Sequence, residues 1–222
     1  MTQAASSLVD WAAIDTVLVD MDGTLLDLNF DTFFWREAVP ERYAMLHGLT
    51  VLAAQQSLAP RFQAKIGTLE WYCLDHWARD LNLDLKTLKR EHRERIRFLP
   101  GAQEFLASVR ARGKRLGLVT NAHRDTFAVK AEQTGLDRLV DSVVCSHDFA
   151  APKESAAFWH ALDAHEPFDV RRTLLIEDSL AVLTAARAYG LERTIAIRRP
   201  DSQLPPRATP GFVGIDGVFE LV

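Results

Sequence analysis

Short apolar runs that end in polar or acidic residues recur along the chain: "TVLVD" (16–20), "RLGLVT" (115–120), "SVVCS" (142–146), "TLLIED" (173–178) and "RTIAIR" (193–198). Runs apolar at nearly every position suit strands buried on both faces, as in a parallel sheet. Helical stretches stand between them. "GAQEFLASVRARG" (101–113) precedes the second run, with Gly113 in place to stop it. "RDTFAVKAEQTG" (124–135), "SAAFWHALDAH" (155–165) and "SLAVLTAARAYG" (179–190) follow. The last opens on Ser179, a good N-cap residue, and closes on Gly190. This alternation predicts the α/β class: an open parallel sheet with helices on both faces.

The alternation is interrupted once. From about Asp31 to Arg97 the pattern is helical, with "DTFFWREAV", "TVLAAQQSLAPRFQ", "LEWYCLDHWARDL" and "DLKTLKREHRERIRFL" as successive helices. We therefore expect a helical insert over 29–97, and a sheet-containing core formed by 1–28 and 98–222, with "LPG" (99–101) marking the return. In the fourth helix Leu85, Leu88, His92, Ile96 and Leu99 form an apolar stripe. Lys86, Lys89, Arg93 and Arg97 lie off it, and this predicts a solvated face rather than an RNA-binding one. Trp35, Trp71, Tyr72 and Trp77 stand at helical spacing, which favours a packed core over a stacking platform for a base, though one or two facing a cleft would suffice for the latter. The segment 199–216 is rich in Pro and Gly and reads as loop, followed by a short element at "GVFELV".

Several function classes are excluded at this level. A net charge of −4 gives no global attraction to nucleic acid or anionic lipid. No stretch approaches the length of a membrane span, and "MTQAASSLVDWAAID" lacks the basic start and apolar run of a signal peptide. Cys73 and Cys145 match no metal or redox spacing and read as reduced thiols in a cytoplasmic protein. "SHD" (146–148) has no nucleophile elbow around it, which argues against a serine hydrolase. His123 and Arg124 read as a first helical turn facing water.

Ligands of open parallel sheets bind beyond the carboxyl ends of the strands. Those ends deliver Asp20 and Asp22, then Thr120 and Asn121, then Lys153 shortly after the third run, then Glu177 and Asp178. Carboxylates crowded together repel one another, and burial adds to the cost. A divalent cation resolves the conflict, and Mg2+ prefers oxygen ligands from carboxylates and substrate phosphate. Lys153, the Thr120 hydroxyl and a backbone brought close at Gly23 suit a phosphate dianion. Asp20 and Asp22 lie two apart in extended chain and point to the same side. One can attack phosphorus while the other moves protons.

"DMDGTLLD", "VTNA", "PKE" and "LLIEDS", in this order, resemble the four motifs of haloacid dehalogenase-like (HAD) phosphatases. The resemblance spans the chain and implies a Rossmann-like core with an inserted α-helical cap. A finer resemblance, to the bacterial GMP/IMP nucleotidase type, rests on "DMDGTLLDLNFDTFFW", "EWYCLDHWARDL", "NAHRDTFAVKAEQTGLD" and "PKESAAFWHAL". The HAD family pattern implies that Asp20 is nucleophile and metal ligand. Asp22 is general acid/base, with its carbonyl on the metal. Thr120 and Asn121 hold phosphate, Lys153 neutralises charge, and Asp178 ligates Mg2+, with Glu177 beside it as ligand or partner. Glu154 stands where many members have proline. The implied activity is a Mg2+-dependent purine 5′-nucleotidase that works through an aspartyl-phosphate. A phosphatase or phosphomutase for another small ester, such as a sugar phosphate or phosphoglycolate, is the alternative within the class. A binding protein without turnover is the alternative outside it.

Overall fold

The computed structural model describes residues 8–222; residues 1–7, the first part of the stretch considered for a signal peptide, lie outside the described residues. Among the described residues six strands form a single parallel sheet in the order β3-β2-β1-β4-β5-β6. They are β1 (Thr16–Val19), β2 (Arg115–Thr120), β3 (Ser142–Cys145), β4 (Thr173–Glu177), β5 (Arg193–Ile197) and β6 (Val213–Ile215). The central pair, β1 and β4, is in register from Thr16 opposite Thr173 to Val19 opposite Ile176. Strand order reverses around this pair, which puts the topological switch point at the ends of β1 and β4.

Successive side chains point to opposite faces of the sheet, and each face has its own core. Val17, Val19, Leu116, Leu118, Leu174 and Ile176 pack on one side with Phe105 and Val109 of α7 (Ala102–Ala111) and Val129 of α8 (Arg124–Thr134). Leu18, Val119 and Leu175 pack on the other with Phe158 and Trp159 of α9 (Ala156–His165) and Val182 and Leu183 of α10 (Leu180–Tyr189). Each fully buried aliphatic side chain here contributes about 1.5–3 kcal/mol relative to exposure.

Between β1 and β2 the chain builds six helices before α7. They are α1 (Asn29–Phe33), which runs through a π-helical turn (Phe34–Ala38) into α2 (Val39–His47), then α3 (Val51–Gln63), α4 (Leu69–Tyr72), α5 (Leu74–Leu81) and α6 (Leu85–Glu91). Phe34, Leu58, Leu74, Trp77, Leu81 and Leu88 form a third apolar cluster among them. Trp77 is 1% exposed, and its ring meets those of Trp35, Phe62 and Trp71 edge-on.

Four sequence expectations are corrected. "LEWYCLDHWARDL" is two helices, because Cys73 takes extended backbone (φ −82, ψ 107) and its sulfur accepts the His76 N–H at 3.4 Å, capping α5. The helix expected to run to Leu99 ends at Glu91, and after a short 3-10 turn Phe98 pairs with Leu26 in a β-bridge. Pro100 biases Leu99 out of the helical region, and Ile96 and Leu99 are buried from extended chain instead. Lys89 is not solvated: it is 1% exposed, with its Nζ 3.1 Å from Asp31 Oδ1. Finally, 199–216 contains β6, which pairs with β5 through Ile197 and Ile215. Its three residues sit among glycines that hide a strand this short.

Candidate active site

The sequence-selected residues converge at the carboxyl edge of the sheet, around a cleft of about 760 Å³. Asp20, Asp22, Thr120, Asn121, Lys153, Glu177 and Asp178 all line it, and Gly23 lies beneath it against Asp178. Asp20 directly follows β1, and its N–H donates to the Ile176 carbonyl of β4 at 3.0 Å. The next residues turn back sharply: the N–H groups of Leu25 and Leu26 both donate to the Met21 carbonyl, and Gly23 donates to the Leu26 carbonyl at 2.7 Å. This turn requires glycine. Gly23 has φ +82, and a Cβ there would stand 2.7 Å from Cβ of Pro200 and 3.0 Å from the Asp178 carboxyl.

Lys153 lies at the centre of the site. Its Nζ donates to Asp20 Oδ1 at 2.5 Å, Glu177 Oε2 at 2.7 Å and the Val119 carbonyl at 2.9 Å, and the residue is 1% exposed. Burial works against its charge, but the two carboxylates outweigh that and hold the ammonium well above its ordinary range. Glu177 uses its other oxygen to accept the N–H groups of Asp178 and Ser179 at 3.1 and 3.0 Å, at the start of α10. Both of its oxygens are therefore engaged. Asn121 is fixed at both ends: its Oδ1 accepts the Lys153 N–H at 2.9 Å, and its Nδ2 donates to Glu154 at 2.9 Å. The Thr120 hydroxyl accepts the Ala122 N–H at 3.0 Å, which turns the chain away from β2.

The acids are under electrostatic stress. Burial, and then the Glu177 charge, push Asp20 up to about 7 despite Lys153. Burial pushes Glu177 up to about 7, and burial with the nearby Asp20 pushes Asp178 up to about 6. One oxygen from each of these three residues lies within 4.8 Å of the others. This is an all-oxygen, hard-ligand donor set with more negative charge than its cations offset, and it fits a magnesium-sized dication. Arg207 enters from the 199–216 segment and donates to Asp178 Oδ2 at 2.9 Å and to its carbonyl.

Several contacts of the site were not anticipated from the sequence. Lys130 of α8 is 1% exposed, and its Nζ reaches Asp22 Oδ1 and Asp31 Oδ2, each at 2.5 Å. Burial disfavours ionised Asp31, but Lys130 and Lys89 overcome it and hold the carboxyl at about 2. Tyr72 of α4 donates its hydroxyl to Glu154 Oε1 at 2.5 Å, linking the helical insert to the residue that holds Asn121. The signal for Lys130 was present: with Thr126 and Val129 it forms the buried i, i+3, i+4 face of α8. Tyr72 was noted only as one of the insert's aromatics and Glu154 only as standing in place of proline; their contacts, like those of Arg207, cross the fold.

Other candidates have local roles. His123 N-caps α8 through Nδ1, and Arg124 pairs with Asp148. Asp148 also accepts the Cys145 N–H, so "SHD" builds a turn rather than a triad. Trp35, Phe62, Trp71 and Tyr72 line the cleft on the side of the insert.

The comparisons agree with this geometry. A family model described as haloacid dehalogenase-like hydrolase matches residues 14–190. The GMP/IMP nucleotidase YrfG of Escherichia coli is 40% identical over 194 residues, 87% of either chain, and the Shigella flexneri protein of that name gives the same figures. Among solved structures, a HAD phosphatase from Thermococcus onnurineus superposes with a TM-score of 0.79 at 20% identity, covering 94% of this chain and 96% of that one. CbbY from Rhodobacter sphaeroides, in complex with xylulose-(1,5)bisphosphate, gives 0.69 at 18% identity over 94% and 96% of the two chains. At these identities the solved structures establish the fold. The chain belongs to the haloacid dehalogenase-like hydrolase family. Within it, the chain is an enzyme of the phosphatase kind.

Proposed function

We propose that this phosphatase is a Mg2+-dependent hydrolase of purine 5′-nucleotides, GMP and IMP foremost, working through a phosphorylated Asp20. The observation that carries the reading is the contact of Lys153 Nζ with Asp20 at 2.5 Å, beside a cluster of Asp20, Glu177 and Asp178 oxygens that lie within 4.8 Å of one another. The 40% identity to a GMP/IMP nucleotidase and the aromatic wall of Trp35, Phe62 and Trp71 support the choice of substrate.

In the first step an Asp20 oxygen bonds to phosphorus as the bond from phosphorus to the leaving oxygen breaks, and Asp22 gives its proton to that oxygen. In the second, a water oxygen bonds to phosphorus, the bond to Asp20 breaks, and the water proton passes to Asp22. Burial, only partly offset by Lys130, holds Asp22 at about 6, where both protonation states are accessible near neutrality. Lys153 favours the anionic form of Asp20 against burial and Glu177, and balances the phosphoryl oxygens. Thr120, Asn121 and the backbone at Gly23 hold the phosphate. Asp20, Asp178 and the Asp22 carbonyl would hold Mg2+, with Glu177 at its edge orienting Lys153. A bound dication would supply charge neutralisation to the phosphoryl oxygens.

We assign 1–28 and 98–222 to the core and 29–97 to a cap that selects the leaving group. Among the described residues no helix is long and apolar enough to cross a membrane. Cys73 and Cys145 are both free thiols, which supports a reducing compartment such as the cytoplasm.

The test is phosphate release from a panel of nucleoside monophosphates and sugar phosphates, in Mg2+ and then in EDTA. The expected result is highest kcat/KM for GMP and IMP, with release lost in EDTA. Equal release in EDTA, or a sugar phosphate leading the panel, refutes the corresponding part.

A further inference from the structure

We infer that Lys130 is a positioning residue for Asp22, fixing which of its carboxyl oxygens faces the leaving group and the attacking water. The inference rests on the acid/base role proposed for Asp22. A carboxyl that gives a proton in one step and takes one in the next must present the same oxygen to nearly the same place both times. Asp22 stands on a turn and carries two rotatable side-chain bonds, so its rotamer needs a partner. Lys130 supplies that partner, with Nζ 2.5 Å from Oδ1. Among the described residues Asp22 Oδ2 makes no hydrogen bond of its own, and Asp22 lines the cleft, so Oδ2 is the oxygen left free for proton transfer.

Lys130 is itself held in place. Its ammonium also binds Asp31 Oδ2 at 2.5 Å, while Asp31 Oδ1 accepts from Lys89 Nζ at 3.1 Å. Lys89 Nζ lies 4.0 Å from the centre of the Phe34 ring, a cation–π contact. The result is a row of alternating charge, Asp22, Lys130, Asp31 and Lys89, in which both lysines are 1% exposed. It crosses from α8 to α1 and on to α6. Opposite charges alternate along it, so Lys130 is balanced by Asp31 as well as by Asp22.

A stitch between α8 and α1 would need only the bond to Asp31. The bond to Asp22 is surplus to that task, and the two roles give different kinetics. kcat/KM covers events through the first phosphoryl transfer. With a purine nucleotide the leaving alcohol needs a proton in that step. With p-nitrophenyl phosphate the leaving phenolate needs none. A positioning residue for the proton donor affects the first substrate selectively, whereas a stitch affects both alike.

The experiment compares wild type, Lys130→Met, Lys130→Arg, Asp22→Asn and the Lys130→Met/Asp22→Asn double variant. Each is assayed with Mg2+ on p-nitrophenyl phosphate and on the purine nucleotide turned over best. Asp22→Asn should lower kcat/KM for the nucleotide by about 100-fold or more and that for the nitrophenyl ester by less than about 5-fold. Lys130→Met should show the same split, with KM for the nucleotide changed little. The double variant should lose no more than Asp22→Asn alone, and Lys130→Arg should regain part of the nucleotide activity.

Equal losses on the two esters in Lys130→Met, or additive losses in the double variant, overturn the inference. If Asp22→Asn itself shows no split, the acid/base role of Asp22 fails, and the inference fails with it. If Asp22→Asn splits and Lys130→Met does not, only the role of Lys130 fails. Circular dichroism checks folding. Should Lys130→Met not fold, Lys130→Arg carries the decision: its wider head cannot reproduce both 2.5 Å contacts, so a smaller loss confined to the nucleotide supports the inference and a loss equal on both esters overturns it.

Discussion

Replacing Lys153 by methionine removes the cation that lets Asp20 and Glu177 share a buried site. The side chain makes three hydrogen bonds, at 2.5, 2.7 and 2.9 Å, from a position 1% exposed to solvent. Methionine fills much of the volume, so the main loss is electrostatic. Breaking a buried ion pair from one side costs about 3–5 kcal/mol when the remaining charge cannot be neutralised. Here it can be, because Asp20 and Glu177 already sit up at about 7 through burial, and losing the Lys153 charge raises them further. An acid whose folded-state pKa lies above its unfolded value gives stability at low pH and loses it as pH rises through the folded value. The loss in Lys153→Met is therefore small near pH 5, where both acids are protonated in either protein. It grows through neutrality by at most about 1.4 kcal/mol per acid, so by about 3 kcal/mol for the two by pH 8. Urea unfolding of both proteins in EDTA at the two pH values measures this. A loss equal at pH 5 and pH 8, or larger at pH 5, refutes the charge argument.

Three further outcomes follow from the same geometry. Mg2+ should raise the thermal midpoint of metal-free protein at pH 7.5, corresponding to about 2.7 kcal/mol at one hundred times its dissociation constant, while a monovalent salt at matched ionic strength should not. A thermal-shift titration reads this, and no shift with Mg2+ counts against the Asp20–Asp178 site. Gly23→Ala places a Cβ 2.7 Å from Pro200 at φ +82, and should cost about 1–3 kcal/mol in urea unfolding together with most of the turnover. Wild-type stability there would show that the turn relaxes freely. Tyr72→Phe removes the hydroxyl bound to Glu154 and should cost about 1 kcal/mol, with a rise in KM exceeding any fall in kcat if that contact holds the cap over the cleft. An unchanged KM in steady-state assays would deny the contact that role.

The parts of this molecule legible in its sequence are those whose physics is local. Strands buried on both faces announce themselves by composition, and Asp20, Asp22, Thr120, Asn121, Glu177 and Asp178 sit at or just beyond strand ends. Lys153 was found because it lies between a strand end and a helix start. Lys89 was misread because its position beside Leu85 and Leu88 looked like the rim of a solvated face, and its partner Asp31 is far away in sequence. The Lys130 contacts span α8, the β1 turn and α1, so no window of sequence contains them. Glu154 was visible only as a residue standing in place of proline. The structure gives it work, since it joins Tyr72 to Asn121. The extended chain beyond α6 and the strand β6 rest on short pairings, Phe98 with Leu26 and Ile215 with Ile197, that helical periodicity cannot register.

The central claim is that Asp20 takes the phosphoryl group. Protein turning over a purine nucleotide with Mg2+ can be quenched in acid, digested and analysed by mass spectrometry, with Asp20→Asn treated in parallel. The account predicts a phosphoryl adduct on the peptide carrying Asp20 in wild type, and neither adduct nor phosphate release in the variant. Sustained phosphate release by Asp20→Asn, or an adduct on a different residue, would contradict it.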